Sequence, residues 1–207
     1  ISALLLQSLQ ISWDSYPFQQ ATYNDLNEEQ IIHFIERVND GGRFLLPINP
    51  KTALSKLKLI GDQSVSNAAM ILFSRENLFY NVHVGRFKDP SLIIDDKMIN
   101  GSLFEVAEET IRFIISHLRV AFEITGETTQ RNEIFEYHIP AIRELVLNAL
   151  IHRDYTSPSD VQIKIYDQRI TLFNPGNLFG GLTLEALSTD SYSSQTRNKL
   201  IAEAFYL

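Results

Sequence analysis

The segment Arg143-Glu-Leu-Val-Leu-Asn-Ala-Leu-Ile-His-Arg-Asp-Tyr155 concentrates the side chains able to do chemistry. On a helix, Ala141, Glu144, Asn148 and His152 fall on one stripe, because three- and four-residue steps bring side chains onto the same face. Ile142, Leu145, Val146, Leu147, Ala149, Leu150 and Ile151 fill nearly every other position. A helix this apolar is expected to be buried, which places Glu144 and Asn148 in protein rather than in bulk water. Burying a carboxylate without a partner is costly, so Glu144 needs a counter-charge or a ligand. Two readings stand at this point. In one, Glu144 pairs with Arg143, Arg153 or His152 as a structural network; in the other it serves a ligand or a reaction.

The surrounding elements must position this stripe. Pro140 suits the first turn of the helix that carries it. Beyond it, 161–166 and 170–173 read as a strand pair that turns at Asp167-Gln168 and closes on Asn174-Pro-Gly176. Before it, Leu103, Val106, Ile111, Ile114 and Leu118 give an amphipathic helix over 101–118, and 119–139 reads as a strand pair around Gly126-Glu-Thr-Thr129. Further upstream, 68–74 reads as a buried strand and 79–87 as an alternating one. Asp25-Leu-Asn-Glu-Glu29 reads as a capped helix start, with Asn27 or Asp25 as the cap. Ile31, Ile32, Phe34, Ile35 and Val38 supply its buried side, and Asp40-Gly-Gly42 stops it. Short helices are expected over 51–59 and over 197–205. Residues 1–20 alternate weakly through Leu9, Ile11 and Trp13 and break at Tyr16-Pro17, as a final strand would. Helices and strands in this order give an α+β fold.

Composition narrows the class. The chain has 207 residues, 44% hydrophobic and 21% charged, enough to bury a core and unlike a disordered segment. Cysteine is absent, which removes disulfides, thiol nucleophiles and cysteine-zinc sites, and fits a reducing, cytoplasmic setting. The longest apolar run, Ala68-Ala-Met-Ile-Leu-Phe73, is far below the roughly 20 residues of a membrane span, so no membrane partner is expected. A net charge of −7 argues against this segment alone wrapping a nucleic-acid backbone. The chain opens on Ile1 and closes inside a helical pattern, and it reads as a piece of something longer.

The block 143–176 resembles the N-box helix region of the GHKL-type (Bergerat-fold) ATPases, in the variant found in RecG-related, Schlafen/AlbA-type regulators. The matching pieces are Arg143-Glu144, Asn148-Ala149, His152-Arg-Asp-Tyr155, Asn174-Pro-Gly176, Gly181-Leu-Thr183, and Ser194 with Arg197-Asn198. Ser12-Trp-Asp14, Asp25-Leu26, Leu57-Lys-Leu-Ile60 and Asn67-Ala-Ala-Met-Ile-Leu-Phe73 are similar to that family as well. The resemblance implies a mixed sheet with helices on one face, a truncated GHKL-like α/β sandwich preceded by a helical linker region. It implies three parts: 1–20 as the tail of an AlbA-type DNA-binding unit, 21–65 as the helical linker, and 66–207 as the divergent ATP-binding domain.

The same resemblance implies ATP and Mg²⁺ as cofactors. Glu144 would orient or deprotonate the attacking water, and Asn148 would ligate the phosphate-bound Mg²⁺. Asn174 and Gly176 would contact adenine, with the neutral amide of Asn174 where the parent superfamily prefers Asp. His152, Arg153 and Asp154 would complete the nucleotide-binding set. Lys199 stands where relatives carry Pro, and the family's glycine-rich lid is expected beyond Leu207. The implied protein is a transcriptional regulator that couples nucleotide binding to DNA binding or assembly. DNA would be held by the preceding unit, self-association is an implied option, and this piece alone would be catalytically inactive. The alternative is a non-enzymatic interaction scaffold whose degenerate pocket is filled by Phe179 or Tyr155.

Several lookalikes are excluded. His152-Arg-Asp154 imitates a protein-kinase catalytic loop, but Ser159 stands where that motif needs Asn, and no Asp-Phe-Gly follows. There is no phosphate-binding Gly-x4-Gly-Lys loop. The five histidines form no close ligand pair. Residues 41–61 carry Arg43, Lys51, Lys56 and Lys58 and no acid, which reads either as a solvated face or as a set of phosphate contacts.

Overall fold

The computed structural model describes residues 12–78, 80–123, 132–189 and 195–207. Asn27 starts the first helix: its side-chain oxygen accepts from the backbone N–H groups of Glu29 and Gln30. This helix, α1 (Glu28–Asp40), buries Ile31, Phe34, Ile35 and Val38, while Ile32, expected on the same side, is 41% exposed. The chain leaves it through Gly42, whose φ of 67° is left-handed and suits a residue without Cβ. Asn49 caps α2 (Pro50–Lys56) by accepting from Thr52 N–H.

The segment expected as a buried strand over 68–74 is instead a helix, α3 (Asn67–Phe73), every residue of which is buried. A helix covered on all sides shows no 3.6-residue periodicity, so its apolar run mimics an interior strand. The deciding signal is Ser66, whose hydroxyl accepts from Ala69 N–H and caps the first turn. At the N-terminal end, Trp13–Ser15 forms a 3-10 turn rather than a strand. The earlier part of that expected strand, with Leu9 and Ile11, lies outside the described residues.

Strand β1 (Val82–Asp89) pairs with β2 (Leu92–Ile99), which the sequence reading missed. Then follow α4 (Leu103–Ser116), with a Ser102/Glu105 capping box, and the antiparallel pair β3 (Val120–Glu123) and β4 (Asn132–Phe135). The expected Gly126 turn between them lies outside the described residues. Helix α5 (Ile139–His152) leads to β5 (Val161–Ile165) and β6 (Ile170–Phe173), and the chain ends through α6 (Leu184–Leu187) and α7 (Lys199–Tyr206).

The main sheet has the order β2-β1-β5-β6. β1 and β5 run parallel, and the two outer pairings are antiparallel. The parallel pairing requires a crossover, and the crossover chain contains α4 and α5, which pack on each other. Period-2 alternation buries Val82, Val84, Val161, Ile163 and Ile165 and leaves His83, Gln162 and Lys164 partly exposed. The fold is α+β, a mixed four-stranded sheet with its helices on one face, consistent with an ATPase-like α/β sandwich.

Candidate functional site

Helix α5 is anchored by Ile142, Val146, Ala149, Leu150 and Ile151. Burial of each of the larger side chains stabilises by about 1.5–3 kcal/mol, enough to fix which face points outward. That face carries the chemistry. Glu144 is exposed and Asn148 is half-buried, so the expectation that both are enclosed by protein is corrected. The cause is visible in the same helix, where Leu145 is 52% exposed and leaves one side of the element uncovered.

Asn148 Nδ2 donates to Glu144 Oε1 at 3.1 Å, the one-turn spacing the stripe requires. An ionised carboxylate only accepts, so the Asn148 amide must present its nitrogen to Glu144 and its oxygen elsewhere. That oxygen is the ligand type a hard cation takes. Glu144 makes no ion pair with Arg143, Arg153 or His152 among the described residues, so the structural-network reading is not what holds it. Among the described residues no cluster of three or more His, Asp or Glu side chains could hold a metal by itself. A cation here would depend on oxygens supplied by a phosphate and water.

At the end of α5 the chain turns through His152, Arg153, Asp154 and Tyr155. A helix end leaves carbonyls without intrahelical partners. Asn198 satisfies two of them, its Nδ2 donating to Ile151 O at 2.7 Å and to Arg153 O at 2.9 Å. The buried Arg153 guanidinium donates to the carbonyls of Asn81 and Ser159 at 3.0 and 2.9 Å and lies against the rings of Tyr80 and Tyr155. Arg153 is therefore a strut inside the protein, and the expectation that it contacts a ligand is corrected. Tyr155 donates to Leu150 O and stacks on Trp13, with ring planes 9° apart. Its ring thus belongs to the Trp13 cluster, and its burial raises its hydroxyl pKa strongly.

The Asn174-Pro-Gly176 loop is clipped to this turn. Asp154 N–H donates to Pro175 O at 3.1 Å, and Asp154 Oδ2 lies 3.5 Å from Arg197 Nη1. Arg197 also donates to Asn177 O at 2.6 Å and sits over the Phe179 ring. Gly176 has φ 106°, and a Cβ there would come within 2.8 Å of Asp154 Cβ. Glycine is required on both counts. Burial and the Arg197 charge push the pKa of the half-buried His152 down. Asn174 Oδ1 is a buried acceptor with no hydrogen-bond partner among the described residues. The structure thus brings His152, Asp154, Gly176 and Arg197 together, and no hydrogen bond among the described residues links them to Glu144 or Asn148. Ser194 lies outside the described residues.

Asp14 was not singled out as a functional side chain by the sequence, and it is fully buried. Its Oδ2 accepts from Ile201 N–H at 3.0 Å and so caps α7, the role Asn198 vacates by turning its own side chain toward α5. Nothing local in either sequence stretch announces a contact across 187 residues.

Residues 159–207 match the family described as "Putative ATP-dependent DNA helicase recG C-terminal". The match takes in β5, β6, the Asn174-Pro-Gly176 loop and α7, and stops short of α5. Among solved structures, the chain is similar to the DIP2311 protein from Corynebacterium diphtheriae, with a TM-score of 0.69 and 14% identity. That likeness covers 95% of this chain and 32% of the other, so the chain spans about a third of that protein's length, and it speaks to the fold alone. No curated protein matches the chain. The family match supports a RecG-related, ATPase-like unit over residues 159–207, and the sheet order is consistent with an ATPase-like α/β sandwich.

Proposed function

We propose that this chain is the nucleotide-binding part of a RecG-related transcriptional regulator that takes ATP with Mg²⁺. In this reading Asn148 Oδ1 is the protein ligand to the cation, Glu144 orients the water that attacks the terminal phosphate, and Asn174 accepts from the adenine amino group with Gly176 allowing close approach. His152 and Asp154 belong to the turn beside the Asn174 loop and complete the nucleotide-binding set, and Arg153 positions that turn. Bound Mg²⁺ would neutralise phosphate charge. The observation that carries the reading is the Asn148–Glu144 hydrogen bond, which leaves the amide oxygen and one carboxylate oxygen without a partner among the described residues, on a helix face that is partly open. The acceptor at Asn174 supports it, because a buried acceptor without a donor among the described residues is costly.

The wider assignment belongs to the same proposal. Residues 1–20 would close a Schlafen/AlbA-type DNA-binding unit, 21–65 would form the linker, and 66–207 would couple nucleotide state to DNA binding or self-assembly in the cytoplasm. The scaffold alternative needs Glu144 consumed by an ion pair and the pocket plugged by Tyr155 or Phe179. Glu144 has no such pair among the described residues, Tyr155 is packed against Trp13, and Phe179 lies under Arg197.

The test is a thermal-shift titration of the full-length protein with magnesium nucleotides. ATP at about 100 times Kd adds about 2.7 kcal/mol to stability. Absence of any shift at millimolar nucleotide with Mg²⁺ overturns the proposal.

A further inference from the structure

A cavity of about 480 Å³ opens between α1, α4, the start of α5 and the end of α7. That volume lies within the roughly 300–1,000 Å³ of small-molecule sites. Its floor is aromatic. Phe34, Phe104 and Phe205 run in a chain, with ring centroids 5.4 Å apart for the first pair and 4.9 Å for the second. Leu147 of α5 adds to the apolar lining.

The rim is charged, and the charges are unevenly matched. Glu105 accepts from Ser102 and from Gln30 Nε2, so its oxygens are engaged. Glu108 pairs with Arg37 at 3.2 Å. Arg143 also lines the cavity, and it has no acidic partner among the described residues. One unmatched guanidinium thus stands beside an apolar floor.

We propose that this cavity binds a small amphipathic carboxylate, with its apolar body on the phenylalanines and its carboxylate on Arg143. A planar guanidinium presents paired donors that match the two oxygens of a carboxylate. A polyanion such as a nucleotide is disfavoured, because Arg143 is the one guanidinium on the rim without an acidic partner among the described residues and can neutralise a single negative charge. The site is separate from the Asn174 loop, and the inference does not rest on the nucleotide reading. Its position has a consequence, since Arg143 is the residue next to Glu144. Occupancy of the cavity bears directly on the helix that carries the Glu144–Asn148 pair.

Calorimetric titration of the full chain with phenylbutyrate, and with phenylbutanol as the uncharged counterpart, tests this. Phenylbutyrate binds, and the alcohol binds at least about tenfold more weakly, as expected for loss of a hydrogen-bonded charge pair. Arg143→Gln, an exposed position outside the packed core, reduces the acid to the level of the alcohol. Leu147→Trp fills the cavity and abolishes binding of both. Equal affinity for acid and alcohol, no binding at millimolar concentration, or indifference to Arg143→Gln overturns the proposal.

Discussion

Asn198 closes on Arg153: its side-chain nitrogen lies 2.9 Å from the Arg153 carbonyl oxygen and 2.7 Å from that of Ile151. The residue that begins α7 therefore finishes α5, and the C-terminal helix becomes part of the mount for the His152-Arg-Asp154 turn. Asn198→Ala strips a donor from two buried carbonyls. Leaving a buried polar group unsatisfied costs about 1–3 kcal/mol, and the two share one donor, so a loss of about 2–4 kcal/mol is expected in urea unfolding. Asn198→Asp cannot donate and should lose at least as much.

Gly176→Ala brings a Cβ within 2.8 Å of Asp154 Cβ at a φ of 106°. Strain of this kind costs about 1–3 kcal/mol. The expected result is reduced stability by that amount, together with release of the Asp154–Arg197 contact. Asp154→Gly in the same chain removes the clashing atom, so the double variant should recover part of the loss, measured as a double-mutant cycle.

The His152 pKa is depressed by burial first and by Arg197 second. The folded protein therefore holds this proton less tightly than the unfolded chain does. The stability so contributed is fully present above the unfolded pKa near 6.5 and is lost as pH falls through the folded value. Urea midpoints should decline as pH falls below the ordinary value of about 6.5, and His152→Gln should flatten that part of the slope. Arg197→Gln removes the nearby positive charge, and an NMR titration of the His152 ring should show its pKa rising toward the ordinary value.

Asp14 has the opposite sign. Burial raises its pKa, partly offset by hydrogen bonds from Ser12 and from the Ile201 and Leu200 backbone. The folded state binds that proton more tightly, so the associated stability is present below the unfolded pKa of about 3.8 and is lost as pH rises through the folded value. Above that folded value the ionised Asp14 is a liability that still caps α7. Asp14→Asn keeps an acceptor for Ile201 N–H and should raise the neutral-pH melting temperature. Asp14→Ala removes the cap and should lower stability by about 0.5–2 kcal/mol.

The elements around the site were legible because their signals are local. Asn27 as a cap, Pro140 at the start of α5 and the alternation of β5 and β6 each act within a few residues. α3 was misread because total burial erases periodicity. β2 was missed because its Leu-Ile-Ile-Asp-Asp-Lys-Met-Ile sequence does not alternate and it forms an exposed edge, so pairing with β1 defines it rather than its own pattern. At the site, the stripe Glu144/Asn148 was readable from spacing, whereas its exposure was not, since apolar residues such as Leu145 do not announce whether anything covers them. The contacts of Asp14, Arg153 and Asn198 join distant stretches and leave no trace in local sequence.

In the proposed nucleotide complex, Asn148 and Asn174 face one bound nucleotide and its cation. The most direct measurement is side-chain amide NMR of the full-length protein titrated with ATP and Mn²⁺ in place of Mg²⁺, with Mn²⁺ alone as the control. Selective broadening of the Asn148 amide signals and a smaller effect at Asn174 are expected, both requiring ATP and both lost when excess Mg²⁺ displaces the paramagnetic ion. Asn148 and Asn174 signals that stay sharp at saturating nucleotide would contradict it.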